Sequence, residues 1–209
     1  MAEMVLYDYW RSSASYRVRI GLNLLGQPFR AVSIDLTTGA QREGANIARN
    51  PQGLVPSLDT GDDLLTQSLA ILEYLDETHS AGWLPQSPAA RAHVRAIAYA
   101  IAMDIHPVCN LRVAKYAVSQ GAKMEGWMQH FIALGLEGVE ALISPHANEQ
   151  FCWGNSVTLA DICLVPQMYN ARRWSVDLAP FPTIARIDAA LTALPAFAAA
   201  HPDQFAPKG

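Results

Sequence analysis

The sequence predicts an α/β domain built on a mixed sheet, followed by a domain of helices only. Two observations predict this fold class. Before residue 84, strand-like and helix-like segments alternate in the order βαβαββα, which is typical of a sheet with helices on its faces. After residue 88, apolar residues recur at helical spacing in Ala-rich segments, and no strand pattern is found.

The elements of the first half each have their own sequence signal. Strands are short apolar runs, helices carry apolar residues three or four positions apart, and Gly26 marks the end of the first helix. Turn residues at 59–62 predict a hairpin. In chain order we expect strands at 5–9, 29–34, 55–58 and 64–65, and helices at 15–25, 40–49 and 68–78.

The second half is expected to be entirely helical. One helix has a sharp start, because Thr158 and Asp161 have the spacing of a capping box. Residues 84–88 contain two prolines and are typical of a linker, so we predict domains at 1–83 and 89–209. The expected helices lie at 89–119, 124–144, 158–174 and 183–193.

The composition excludes several classes of protein. With 209 residues, 51% of them hydrophobic and 16% charged, the chain can fold around a substantial core. A net charge of −4 offers no basic field for nucleic acid, and no apolar run reaches the ~18 residues of a membrane span. The three cysteines lack the spacing of a metal site, so we expect no metal and reduced thiols in a cytoplasmic protein.

The most informative stretch is the serine turn, residues 10–15, which joins the first predicted strand to the first helix. Ser12, Ser13 and Ser15 lie where a helix N-terminus leaves backbone N–H groups unpaired. Such a terminus favours anions. Because a hydroxyl and a helix dipole directed at one point can hold a thiolate, this turn is a candidate site for a thiol-bearing peptide.

Two further motifs follow along the chain. A cis bond between Val55 and Pro56 would turn the Val55 backbone toward an extended ligand, although the spacing alone favours the commoner trans bond. Gln67 and Ser68 begin the helix after the hairpin. A serine there is commonly only a cap, but it can also bind a carboxylate together with the helix amides.

These three motifs together resemble the zeta class of the glutathione transferase superfamily, which includes maleylacetoacetate isomerase and bacterial maleylpyruvate isomerase. The resemblance covers nearly the whole chain, and the run Ser-Ser-x-Ser-x-Arg-Val-Arg-Ile is specific to this class. It implies the glutathione transferase fold, with a thioredoxin-like first domain and a helical second domain, a homodimer, and glutathione as cofactor. The matching residues are 11–20, 50–51, 55–56, 67–75, 157–161 and 176–182.

The resemblance also implies roles for individual side chains. The catalytic set is Ser12, Ser13 and Arg11. The glutathione-binding set is Ser12, Ser13, Val55, Gln67, Ser68, His106 and Asn110. The substrate-binding set is Arg11, His106, Arg112 and Arg173.

Two points about these residues stay open at this stage. His106 and Asn110 are four positions apart and share a helix face if Pro107 does not break the helix; a structural histidine beside a kink is the alternative. The class commonly has Cys where this chain has Ala14. Ala14 excludes a covalent step through that position but leaves isomerisation open, because glutathione brings its own sulfur.

The activity that the resemblance implies is a glutathione-dependent cis–trans isomerisation of an unsaturated dicarboxylic keto acid. Arginine suits such a substrate, because its guanidinium can bind a carboxylate through two parallel hydrogen bonds. The expected reaction converts maleylacetoacetate to fumarylacetoacetate in aromatic amino-acid catabolism. Three alternatives stay open: maleylpyruvate as substrate, conjugation of glutathione to small electrophiles such as α-halo acids, and a non-enzymatic glutathione-binding protein.

Overall fold

The computed structural model describes residues 3–148 and 150–207, and within them the chain forms two units. Gly82–Leu194 is the second unit, and the described residues on either side of it form the first. The predicted domain 89–209 assigned the C-terminal segment to the helical half. The described part of that segment, from Pro195 onward, belongs to the first unit instead. The ends of both predicted domains, residues 1–2 and 208–209, lie outside the described residues.

Specific contacts hold the C-terminal segment in the first unit. The Asn23 side-chain amide donates to the Ala196 carbonyl at 3.1 Å. Phe197 is fully buried, and the Phe205 ring stacks on Phe29 with 6.3 Å between ring centroids. These contacts join residues that are far apart in the sequence, so helical periodicity alone cannot assign the segment to a domain.

A mixed sheet of four strands is found in the described part of the first unit. Its strands are β1 (Met4–Asp8), β2 (Phe29–Ser33), β3 (Ser57–Asp59) and β4 (Leu64–Thr66). The strand order is β2-β1-β3-β4, with β1 parallel to β2 and antiparallel to β3, and β4 antiparallel to β3. The predicted mixed sheet and the hairpin are therefore confirmed.

Helices make up most of the remaining structure. In the described residues they are α1 (Ser13–Leu24), α2 (Gly44–Arg49), α3 (Ser68–His79), α4 (Pro88–Tyr99), α5 (His106–Val108), α6 (Leu111–Ser119), α7 (Met124–Ile143), α8 (Leu159–Arg173), α9 (Pro182–Thr192) and α10 (Pro195–Ala199). Short 3₁₀ turns occur at Ala40–Arg42 and Pro202–Gln204, and a π-helical segment, Ala100–Ile105, joins α4 to α5. Among the described residues, no helix combines the length and apolar content needed to cross a membrane.

The helix α1 is buried over most of its length and starts earlier than predicted. It begins at Ser13 rather than at residue 15, because Ser12 caps it. Its apolar residues Val18, Ile20 and Leu22 are fully buried, as is Leu6 of β1. The core of the first unit therefore fixes α1, and with α1 the serine turn from which it starts.

The first helix predicted for the second unit is wrong as a single element. Residues 89–119 instead form α4, the π-helical segment, α5 and α6. Pro107 lacks an amide hydrogen for the helical ladder. Asn110 then starts α6 by accepting the Arg112 amide at 3.1 Å. His106 and Asn110 therefore lie on different helices and do not share one helix face.

The capping box predicted at the start of α8 is confirmed. The fully buried Asp161 carboxylate accepts the amide and the hydroxyl of Thr158, each at 2.7 Å, and the amide of Cys152 at 2.8 Å. Burial raises the pKa of Asp161, although these hydrogen bonds oppose the shift. The box thus connects the start of α8 to the preceding loop.

Candidate active site

The serine turn presents a half-buried hydroxyl at the N-terminus of α1. The Ser12 amide donates to the Tyr9 carbonyl at 2.8 Å, which closes the turn between β1 and α1. The Ser12 oxygen accepts the Ser15 amide at 3.2 Å and so caps α1. A hydroxyl that accepts in this way keeps its own proton for another acceptor. Ser12 is half-buried whereas Ser13 is buried, so Ser12 is the more accessible of the two predicted catalytic serines.

The loop before β3 contains the second predicted motif. The Val55–Pro56 bond is cis, so the trans bond that the spacing favours is wrong. The buried Asn50 holds this loop, because its amide group donates to the Leu54 carbonyl at 3.2 Å and its oxygen accepts the Gln52 amide at 3.0 Å. Within the described residues no backbone hydrogen bond involves Val55, so its N–H and C=O are available to an extended peptide.

The start of α3 contains the third predicted motif. Gln67 has a φ of 68°, which is uncommon for a residue with a side chain and is often found at functional sites. Its side-chain amide donates to the Gln52 side chain. Ser68 is buried, and its oxygen accepts Arg17 Nε at 3.1 Å. This bond joins α1 to α3 and again leaves the serine proton for another acceptor.

Two buried arginines of α1 contact the candidate site, although the sequence patterns assign no role to them. Arg17 is the donor to Ser68. Arg19 pairs with Asp8 at the end of β1, with 2.6 Å between Nη1 and Oδ2. The sequence contains a pattern that indicates their burial, because both arginines alternate with apolar residues in a helix that follows a strand. Charged residues in that position need buried partners.

The predicted residues of the second unit begin two short helices. His106 is the first residue of α5 and is half-buried. Asn110 uses its side-chain oxygen as the cap of α6, which leaves its amide group as a donor, and the cap bond brings it together with Arg112. Trp127 of α7 donates to the Val108 carbonyl at 3.0 Å and so holds the segment between these helices.

The predicted cations are exposed. Arg11 lies over the ring of its neighbour Trp10, with 4.1 Å from the guanidinium carbon to the ring centroid. Arg173, at the end of α8, lies 5.1 Å from the ring centroid of Trp174. The adjacent Arg172 differs, because it pairs with the buried Asp188 of α9 and thereby holds the two helices together. Burial raises the pKa of Asp188, an effect that Arg172 opposes.

The cysteines are buried thiols with little nucleophilic character. Burial raises the pKa of Cys109 to about 11, and burial together with the nearby Asp161 raises the pKa of Cys152 well above its ordinary value. Ala14, at the position where the zeta class commonly has Cys, has no sulfur. Among the described residues no three His, Cys, Asp or Glu side chains are arranged to hold a metal ion. Thiolate chemistry at the serine turn therefore needs a sulfur brought by a bound molecule.

Comparison with known proteins agrees with this geometry. Residues 6–85 match the family described as the N-terminal domain of glutathione S-transferase. The chain is 54% identical over 210 residues to maleylacetoacetate isomerase of Rhizobium meliloti (strain 1021), and the match covers 98% of this chain and 99% of that relative. The likeness therefore extends over both units.

Two solved structures have the same fold. One is the holo structure of maleyl pyruvate isomerase, a bacterial glutathione S-transferase in the zeta class, with a TM-score of 0.91, 41% identity, and 95% of this chain and 96% of that chain covered. The other is maleylacetoacetate isomerase from Methylobacterium extorquens AM1 with bound malonate and GSH, with a TM-score of 0.92, 39% identity, and 98% and 100% covered. The chain therefore belongs to the zeta class of the glutathione S-transferases, in the family of the maleylacetoacetate and maleylpyruvate isomerases.

Proposed function

We propose that this protein is a glutathione-dependent cis–trans isomerase that converts maleylacetoacetate to fumarylacetoacetate. The observation that carries the proposal is the half-buried Ser12 hydroxyl, which caps α1 through its oxygen and keeps a proton to donate. The likeness to a named maleylacetoacetate isomerase at 54% identity supports this substrate. Maleylpyruvate is the second candidate, supported by the likeness to a maleyl pyruvate isomerase at 41% identity.

The residues of the first unit fit glutathione. The free N–H and C=O of Val55 suit the backbone of its cysteinyl residue. Ser68, together with the amides at the start of α3, suits the γ-glutamyl carboxylate, and Gln67 lies beside it. We assign the sulfur to Ser12 and Ser13, which lie at the N-terminus of α1. In the second unit, the Asn110 amide group and His106 are the donors that we assign to glutathione.

The chemical task of the chain is to keep a thiol ionised. When bound, glutathione supplies the sulfur that adds reversibly to the cis double bond, so that rotation can occur before the trans product forms. Free thiols titrate near ~8.5, and lowering that pKa by about two units takes about 2.7 kcal/mol. A hydrogen bond to a charged group contributes about 1.5–3 kcal/mol and a helix N-terminus about 0.3–1 kcal/mol. Together these two contributions amount to about 1.8–4 kcal/mol, a range that includes the free energy needed for the shift.

The substrate carries two carboxylates and needs cations. We assign them to Arg11, Arg112 and Arg173, which are exposed and whose guanidinium groups can each bind a carboxylate through two hydrogen bonds. His106 is half-buried and is suited to polarise a keto oxygen of the substrate. These cations favour an anionic substrate over a neutral electrophile, and among anions we propose the unsaturated dicarboxylic keto acid.

The proposal also covers the oligomeric state, the cellular compartment and the pathway. We propose a homodimer in the cytoplasm that acts in aromatic amino-acid catabolism. We place Met103 and Leu134 in the interface of this dimer, since they are apolar side chains that are 58% and 54% exposed in the single chain. The buried cysteine thiols support a reducing compartment.

An absorbance assay with purified protein tests the proposal. Maleylacetoacetate and maleylpyruvate are each supplied with and without glutathione, and the products are identified by NMR. We expect turnover only with glutathione, a trans product, and full recovery of the glutathione. Consumption of glutathione would instead identify a transferase acting on electrophiles. Glutathione binding without turnover of either compound would identify a non-enzymatic binding protein.

A further inference from the structure

Arg19 connects three segments of the first unit that are distant in the sequence. Its Nη1 donates to Asp8 Oδ2 at 2.6 Å, its Nη2 to the Trp10 carbonyl at 3.0 Å, and its Nε to the Ala200 carbonyl at 3.0 Å. The Phe205 ring lies over the guanidinium at 4.5 Å. Arg19 thus joins the end of β1, the serine turn and the C-terminal segment in one contact.

The Arg19 cation can be buried because its partners together neutralise its charge and accept its hydrogen bonds. The Arg19 side chain has 0% exposure and the Asp8 side chain 4%, so both charges are out of water. Burying such a pair is unfavourable unless the geometry is good and further hydrogen bonds satisfy the guanidinium. A guanidinium can bond Asp8 and two carbonyls at once because its donors are spread over a planar fork, which a lysine ammonium lacks.

One of these partners lies inside the turn that positions Ser12. The turn is closed by the hydrogen bond from the Ser12 amide to the Tyr9 carbonyl, and the Trp10 carbonyl that Arg19 binds lies between the two. Ser12 is also the cap of α1, the helix that carries Arg19. The direction of the Ser12 hydroxyl therefore depends on a turn that is held by the hydrogen bond from Arg19 and by the cap bond to α1.

We propose that Arg19 is a positioning residue for Ser12. The C-terminal segment from Ala200 to Phe205 contributes to this positioning, because it holds the Arg19 guanidinium in place. The inference rests on the proposed function, in which the Ser12 hydroxyl keeps the glutathione sulfur ionised. The C-terminal segment thereby controls the acidity of the bound thiol without contacting it. Arg19 itself contacts neither glutathione nor substrate in this proposal.

The test is a pH titration of the thiolate absorbance of glutathione bound to the full-length protein. Arg19→Lys keeps the charge beside Asp8 but loses the fork. We expect it to raise the pKa of the bound thiol by about one unit and to lower kcat at neutral pH by about threefold, with a change in the Kd of glutathione no larger than that. Phe205→Leu is the second variant, because it loosens the guanidinium and keeps all its hydrogen bonds. It should raise the pKa of the bound thiol by less, and it tests the proposal even if Arg19→Lys does not fold.

Asn23→Ala is the matched control. Asn23 lies on the same helix and also donates to the C-terminal segment, at the Ala196 carbonyl, but it has no bond to the serine turn. We expect this variant to lose stability and to leave the pKa of the bound thiol unchanged. The proposal is overturned if Phe205→Leu and any folded Arg19→Lys titrate like the unaltered protein, or if Asn23→Ala shifts the pKa of the bound thiol as much as Phe205→Leu does. A normal thiol pKa in the unaltered protein would be a different result, since it overturns the proposed function as well.

Discussion

Ser12 caps α1, the proposed function gives the same hydroxyl a chemical role, and the two roles can be separated by substitution. Its oxygen caps α1, and glycine at an N-cap is less favourable by only a few tenths of a kcal/mol. We therefore expect Ser12→Gly to keep its melting temperature within a few degrees. Because a donor aimed at the sulfur is lost, kcat should fall by about 10- to 100-fold while the Kd of glutathione changes little.

Ser12→Thr is the control for this prediction, because threonine keeps both the cap and the hydroxyl. It should retain most of the turnover. Steady-state kinetics and thermal denaturation of both variants check the two roles side by side. Normal turnover in Ser12→Gly would move the thiolate-holding role to Ser13 or to the backbone amides of α1.

Cys109 provides a pH-dependent prediction at the same scale. Burial raises its pKa from the ordinary value of 9.0 to about 11, so the folded protein holds this proton more tightly than the unfolded chain does. The contribution of Cys109 to stability is therefore complete below pH 9.0 and is lost as the pH rises toward about 11. Urea denaturation between these pH values should show a smaller alkaline loss of stability for Cys109→Ser than for the unaltered protein. Equal losses in both proteins would contradict the shift.

At the scale of elements, two glycines of α7 form a matched pair. A Cβ on Gly135 would lie 2.2 Å from Cγ1 of Ile105, the last residue of the π-helical segment, whereas a Cβ on Gly138 would meet nothing within 4 Å. We expect Gly135→Ala to be destabilising by about 1–3 kcal/mol. Gly138→Ala should be stabilising by about 0.5–1 kcal/mol, because alanine favours a helix over glycine.

Urea denaturation measures both changes in the free energy of unfolding. Ile105→Ala is destabilising by itself, because Ile105 is buried. In that background, however, Gly135→Ala should cost much less than in the unaltered protein, because the side chain that clashes is absent. Equal effects of the two glycine substitutions would show that α7 does not pack closely on the π-helical segment. That close approach is what holds the residues leading into His106.

The start of α8 offers a second prediction at this scale. Asp161 accepts two amides and a hydroxyl in a buried place, so Asp161→Ala leaves those donors without an acceptor. Its unfolding free energy should fall by about 3 kcal/mol. Thr158→Ala loses one hydroxyl, with an expected loss of about 1 kcal/mol, and Thr158→Ser should lose less. Thermal denaturation ranks the three variants, and a different order would assign the cap to other groups.

At the scale of the whole molecule, the dimer is the main prediction. Sedimentation equilibrium should give the mass of two chains, and the melting temperature should rise with protein concentration because association stabilises the folded state. Met103→Glu places a charge on an exposed apolar side chain and should weaken the dimer. A single-chain mass at all concentrations would contradict the proposal.

The predictability of the candidate site depends on how far apart its partners are in the sequence. Ser12, Gln67 and Ser68 could be proposed as site residues because a helix start is a local pattern. The partners of Arg17 and Arg19 could not be predicted, because Ser68 and Ala200 lie 51 and 181 residues away. No local pattern reports a contact of that kind. The same reason explains why the C-terminal segment was assigned to the wrong unit.

The sequence by itself determined the alternation of strands and helices, the hairpin, the capping box at Thr158, and the likeness to a glutathione-using family, because short-range spacing and residue type specify all of these. Only the tertiary structure decided the cis bond before Pro56, the break after Val108, and the buried ion pair of Arg19 with Asp8. Each of these depends on which distant groups are brought together. A peptide isomer, a helix break or a buried charge is selected by the free energy of the whole packed unit rather than by its neighbours in the chain.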